Sequence, residues 1–143
     1  VFLKVAPDLE PADIEDIAEV AIDQGVAALI ISNTTITRPL LHSPKASESG
    51  GLSGAPLAPL AAARLADFRR ACGNRMPLIA AGGIASGADA YARIRAGASL
   101  VQLYTALIYE GPGLGRRIAN DLAALLKRDG FENVRDAVGI DVG

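Results

Sequence analysis

Four small polar residues, Ser32, Asn33, Thr34 and Thr35, follow directly on the apolar run Ala28 to Ile31. An Asx or threonine turn at a strand end would account for one of them. Together they offer hydroxyls and an amide with both donor and acceptor character, which suits a small planar ligand with alternating N–H and C=O groups. Lys4 lies inside another apolar run, "VFLKVAPD". A lysine in a strand buried on both faces is costly unless it meets an anion or an electron-rich acceptor; on an edge strand it would snorkel to solvent. The pair Gly82-Gly83 in "PLIAAGGIAS" stands between a strand-like run and a capped helix. Glycines there let backbone approach a ligand and free N–H groups for phosphate oxygens, while a tight turn needing φ > 0 explains them as well. "GGLSG", Gly50 to Gly54, is either a further backbone-exposing turn or a flexible loop. The remaining reactive types point to structure: His42 to an exposed loop, Cys72 to a semi-buried thiol, Arg69-Arg70 and Arg116-Arg117 to solvated helix faces. No Cys and His spacing suits a metal.

The elements that must position these residues follow from the apolar pattern. Val1 to Val5, Ala27 to Ser32, Pro77 to Ala81 and Ser99 to Tyr104 are continuous apolar runs, the pattern of strands buried on both faces. Ile14, Ile17, Ala18 and Ala21 are spaced for one helix face, with Pro11 near its start and Gly25 past its end. Leu57, Leu60, Ala61, Leu65 and Phe68 mark a second helix. Ser86-Gly87-Ala88-Asp89 is a capping box opening a third, which ends near Gly97. Leu114, Ile118, Leu122 and Leu125 mark a fourth, ending near Gly130. The order β-α-β-α-β-α-β-α predicts a parallel sheet with right-handed crossovers, either a small open sheet or half of an eight-stranded barrel. Ligands of such folds lie at the C-terminal strand ends. The candidates fall there: Ala6-Pro7-Asp8, Asn33-Thr34-Thr35, Ala81-Gly82-Gly83-Ile84 and Tyr104-Thr105. Ile36 to Pro56 has no apolar period, and loops of this length are functional or disordered.

Bulk properties narrow the classes. The chain has 143 residues, half of them apolar, and a net charge of −2. That suits one globular domain and gives no electrostatic footprint for nucleic acid. A single cysteine excludes an internal disulfide and suits a reducing compartment. No apolar run approaches the ~20 residues needed to span a bilayer. The sequence opens at Val1 inside a strand-like run and contains no obvious general base, so a piece of a longer chain is expected.

Taken together, "LKVAPDL", "SNTTITRP", "GGLSGAPL", "PLIAAGGIASGADAYARIRAGASLVQLYTALIYEGP" and "LLKRDGF" resemble, in this order and spacing, the C-terminal half of a dihydroorotate dehydrogenase. The similarity is to the class 2, quinone-dependent, membrane-associated enzymes. Class 1 enzymes share the barrel and the double glycine but look different at the end of the second strand and at Tyr104-Thr105. The resemblance implies a (βα)8 TIM barrel with FMN at its mouth, this chain supplying the last four βα units. It implies that Lys4 contacts the flavin ring and that Ser32, standing where threonine is usual, contacts FMN. It also implies that Gly54, Gly83, Tyr104 and Thr105 hold FMN, the last three around its phosphate, and that Asn33 and Thr34 bind dihydroorotate or orotate. The implied reaction is oxidation of dihydroorotate to orotate in pyrimidine biosynthesis, with quinone as acceptor and no metal. The serine base and the membrane-touching quinone tunnel lie upstream of Val1 in the family, so this chain alone is expected to be inactive. In a bacterium the enzyme would sit peripherally on the cytoplasmic side of the inner membrane. A half barrel has unpaired edges and is expected to be unstable alone or to self-associate. Two other readings stay open: a class 1 or dihydropyrimidine dehydrogenase type enzyme, and a non-catalytic α/β phosphate-binding module.

Overall fold

A computed structural model describes residues 1–39 and 41–142. Four strands, β1 (Phe2–Val5), β2 (Ala28–Ile31), β3 (Leu78–Ala81) and β4 (Ala98–Gln102), form one parallel sheet in chain order. Helices α1 (Pro11–Asp23), α2 (Ala58–Cys72) and α3 (Gly87–Arg95) make the crossovers; α4 (Thr105–Glu110) and α5 (Leu114–Arg128) follow β4. Strand order equal to chain order winds every crossover the same way. A doubly wound sheet would reverse at a switch point, so this is the winding of a barrel wall.

The four helices that the spacing predicts all form. Pro11 opens α1 at its first turn, and the Glu10 N–H donates to Asp13 Oδ2 (3.0 Å). Ser86 caps α3: its Oγ accepts from the Asp89 N–H (3.1 Å), and Asp89 Oδ2 accepts from the Ser86 N–H (3.0 Å). Alternation along the strands decides what these helices cover. Val5, Leu29, Ile31, Leu78, Ala80 and Ala98 join the core with Ile14 and Ala18 of α1, Leu65 and Phe68 of α2, Ile94 of α3 and Ile118 of α5. Burying one such large apolar side chain contributes roughly 1.5–3 kcal/mol.

Three expectations need correction. Continuous apolar runs predict strands buried on both faces, which holds for β3 but not for β1 and β4. These are the sheet edges, and no helix covers the second face; Phe2 is 58% and Leu100 59% exposed. Lys4 is exposed, the edge-strand alternative of the two left open by the sequence. The fourth strand stops at Gln102, two residues before Tyr104, which instead precedes α4. Helix α4 was not foreseen because it has six residues and no buried stripe. Arg69 is not a purely solvated residue: its side chain lies where a Cβ on Gly97 would fall. Among the described residues, no helix is long and apolar enough to cross a membrane.

Candidate functional site

The four strand ends converge on a cavity of about 900 Å³. Its wall includes Lys4 from β1, Ser32, Asn33 and Thr34 after β2, Gly54 before α2, Gly83 after β3, and Tyr104 and Thr105 after β4. The eight residues to which the resemblance assigns a ligand thus face one space, whereas Thr35, the fourth of the polar cluster, lies off the wall. Ser53, from the GGLSG stretch, lines it as well, as does Gln102, which carried no prior signal.

The turn after β2 is stitched to both neighbouring strands. The Ser32 N–H donates to Ala81 O (3.0 Å) and the Asn33 N–H to Val5 O (2.8 Å). Ser32 is buried, with its Oγ donating to Asn33 O (3.1 Å). The Asn33 side chain accepts from the Thr34 N–H through Oδ1 (2.9 Å), an Asx-type contact that leaves its NH2 group for other acceptors. The Ile31–Ser32 peptide is cis.

The long irregular segment has an internal frame. Thr35 is buried and pairs with Leu52 as an isolated antiparallel bridge, Thr35 N–H to Leu52 O (3.1 Å) and back (2.8 Å). Asp8, at the end of β1, accepts from the Thr35 hydroxyl and from the Ile36 N–H (3.1 Å). Arg38 reaches across the loop to Glu48 O (2.9 Å) and Gly50 O (2.6 Å). The sequence alone assigned no task to Asp8 or Arg38; they fold the loop onto the turn that carries Asn33 and Thr34. A Cβ on Gly51 would fall 1.9 Å from Thr34 Oγ1, so only glycine admits this approach.

At the opposite side the cavity is walled by backbone. Gly54 has φ +78°, and a Cβ there would lie 3.1 Å from Thr105 Cγ2. Thr105 Oγ1 in turn donates to Ser53 Oγ (3.0 Å), tying the post-β4 turn to the loop before α2. Gly83 has φ +69° and packs onto Ala58, the first residue of α2. Among the described residues, none accepts from the Gly83 or Thr105 N–H. Two glycines in left-handed conformations, free N–H groups and a hydroxyl make this side suited to a phosphate. Lys4 is the only cation on the wall, and Glu110, ion-paired with Arg117 (2.9 Å), the only carboxylate among the described residues. All four strands thus bring a donor to the wall, and among the described residues no carboxylate is placed as a general base. The volume and the donor set suit a phosphate-bearing ligand together with a small planar group.

Comparison with known proteins gives the family. Residues 1–126 match the family model described as dihydroorotate dehydrogenase. A dihydroorotate dehydrogenase (quinone) of Sphingopyxis alaskensis is 66% identical over 97% of this chain and 39% of its own length. That of Parvibaculum lavamentivorans is 58% identical over 99% of this chain and 41% of its own. The crystal structure of the dihydroorotate dehydrogenase of Eimeria tenella in complex with ferulenol superimposes with a TM-score of 0.94 at 46% identity, covering 98% of this chain and 37% of that one. The chain thus spans about 40% of the length of such relatives.

Proposed function

From the premise that the chain belongs to the dihydroorotate dehydrogenase family, we propose that it forms the C-terminal half of a quinone-dependent enzyme that oxidises dihydroorotate to orotate in de novo pyrimidine synthesis. The observation that carries this is the convergence of all eight candidate residues on one cavity. Relatives named dihydroorotate dehydrogenase (quinone) support the choice of acceptor.

FMN is the cofactor that the glycine-walled side fits, and the chemistry it supplies when bound is acceptance of a hydride from carbon six of dihydroorotate, followed by reoxidation by quinone. The chain's own part is to bind and orient. Gly54, Gly83, Tyr104 and Thr105 hold the cofactor, the last three at its phosphate, with Ser32 beside them. Lys4 presents an ammonium toward the ring, where a cation favours added negative charge. Asn33 and Thr34 hydrogen-bond the pyrimidine ring, which places carbon six for transfer. The proton on carbon five goes to a serine base outside these residues. The quinone tunnel and a peripheral contact with the inner membrane belong to that outside part too, so the chain alone does not turn over.

The test is anaerobic addition of dihydroorotate to the full-length protein. Bleaching of the FMN absorbance is expected, with reoxidation by a quinone and not by fumarate or a nicotinamide. A flavin-containing protein that does not bleach would overturn the reading, and one lacking flavin would point to a phosphate-binding module. The open sheet face, with Phe2 and Leu100 exposed, further supports self-association of the 143-residue chain alone. Sedimentation at the mass of a monomer would refute that.

A further inference from the structure

Arg93 of α3 is 8% exposed, yet it is not on the cavity wall. Its Nη2 donates to Ala58 O (2.7 Å) and, at longer range, to Gly82 O (3.4 Å). These carbonyls come from two different segments, the first turn of α2 and the turn after β3, which meet where Gly83 packs on Ala58. Arg93 therefore spans that seam from behind. Among the described residues its Nε is buried without a partner, and no carboxylate bonds the guanidinium. Burial opposes its charge more than the nearby Asp89 carboxylate favours it. An arginine stays protonated even so. The fold thus keeps a cation with little compensation under a wall that carries no cation at that end. Lys4 stands on β1, two strands from β3.

A buried cation is costly unless something answers it. Packing alone would be served by a neutral donor. The carbonyl oxygen of Gly82 and the N–H of Gly83 belong to one peptide group, so a donor on the oxygen polarises the N–H on the cavity side. We propose that Arg93 is a positioning residue for the phosphate group of the flavin mononucleotide: it locks Ala58 and Gly82 together and supplies, through their backbone, the positive potential that answers the phosphate. This rests on the FMN reading above and adds to it a residue that does not touch the ligand.

The experiment compares FMN with riboflavin, which has the same ring and no phosphate, on the full-length apoprotein by quenching of flavin fluorescence. Wild type should bind FMN more tightly than riboflavin; equal binding would sink the FMN reading itself, independently of Arg93. Arg93→Gln is expected to weaken FMN by about tenfold or more while leaving riboflavin within about twofold. Arg93→Lys keeps the charge and should keep the FMN-to-riboflavin ratio within about threefold. Equal losses for both flavins in Arg93→Gln, or an unchanged ratio, would overturn the proposal. If Arg93→Gln does not fold by circular dichroism, Arg93→Met replaces it. Collapse of the ratio in a folded Arg93→Lys would overturn the proposal on its own.

Discussion

Replacing Gly83 by alanine tests the seam on which the cavity wall depends. The added Cβ would lie 2.4 Å from Ala58 Cβ, 2.5 Å from Ala58 Cα and 2.7 Å from Ala58 N. Two of these atoms are backbone at the first residue of α2, and the next residue is Pro59, whose φ is locked. Ala58 cannot turn aside, so the helix or the turn must move. Overpacking of this kind costs roughly 1–3 kcal/mol, and the left-handed φ of +69° costs an L residue roughly 1–2 kcal/mol more. Gly25 separates the two effects. Its φ is +65°, but nothing lies within 4 Å of a Cβ built there. Gly25→Ala should therefore lose only the conformational part, roughly 1–2 kcal/mol. Urea denaturation of wild type and both variants, without ligand so that binding does not enter, measures the difference. Gly83→Ala should be the less stable by roughly 1–3 kcal/mol. Gly83→Ala should also weaken flavin binding, and Gly25→Ala should not. Equal destabilisation by the two substitutions would refute the claim that close approach, rather than φ alone, selects glycine at position 83.

Three further outcomes are expected. Hydrogen bonds from Arg128 and Tyr91 hold the Asp129 carboxyl at a pKa of about 2, below its usual 3.8. A depressed carboxylate pKa stabilises the fold above the unfolded value and ceases to do so as pH falls through the folded one, so the gap in stability between wild type and Asp129→Asn should narrow between about pH 4 and pH 2. A pH-independent gap in thermal melts would contradict this. Cys72 is 0% exposed, and burial pushes its thiol up, so a thiol reagent at neutral pH should label the folded protein only as fast as it unfolds. In the full-length enzyme, Asn33→Ala should lower kcat/KM for dihydroorotate by about 10–100-fold, the loss of a hydrogen bond to a charged ligand. An unchanged kcat/KM would remove Asn33 from the substrate site.

Much of the wall was legible because its residues break a pattern. In a parallel sheet an apolar run must end where the chain leaves the core, and a ligand site replaces the expected turn chemistry there. Ser32 to Thr34, Gly83 and Thr105 all interrupt runs at that point. The frame behind Asn33 was not legible. Asp8 and Thr35 meet across 27 positions, and Thr35 and Leu52 pair across a segment with no period. Long-range pairing of this kind leaves no local mark, whereas the Ser86–Asp89 box, closed within one turn, was read at once. The edges misled for a related reason. A continuous apolar run states what a strand needs on both faces, and β1 and β4 meet that need only on the helix side.

Arg93 and Arg95 show where sequence reasoning stops. Both lie in the last turn of α3, where a cation suits the helix dipole, and local sequence gives no ground to separate them. Two positions apart on a helix, they point about 200° from one another. That rotation sends Arg95 outward, over the Tyr91 ring and onto Asp141 (Nη2 to Oδ1, 2.6 Å), where a carboxylate answers its charge. The same rotation sends Arg93 inward, onto two carbonyls and no carboxylate. Arg95 thus has its counter-ion within the chain, and its removal should loosen the C-terminal segment without touching the cavity. Among the described residues no carboxylate bonds Arg93, and under the proposal above its charge is answered from the far side of the wall. The distinction rests on which side of one helical turn faces the seam, a property of packing that no spacing of residues announces.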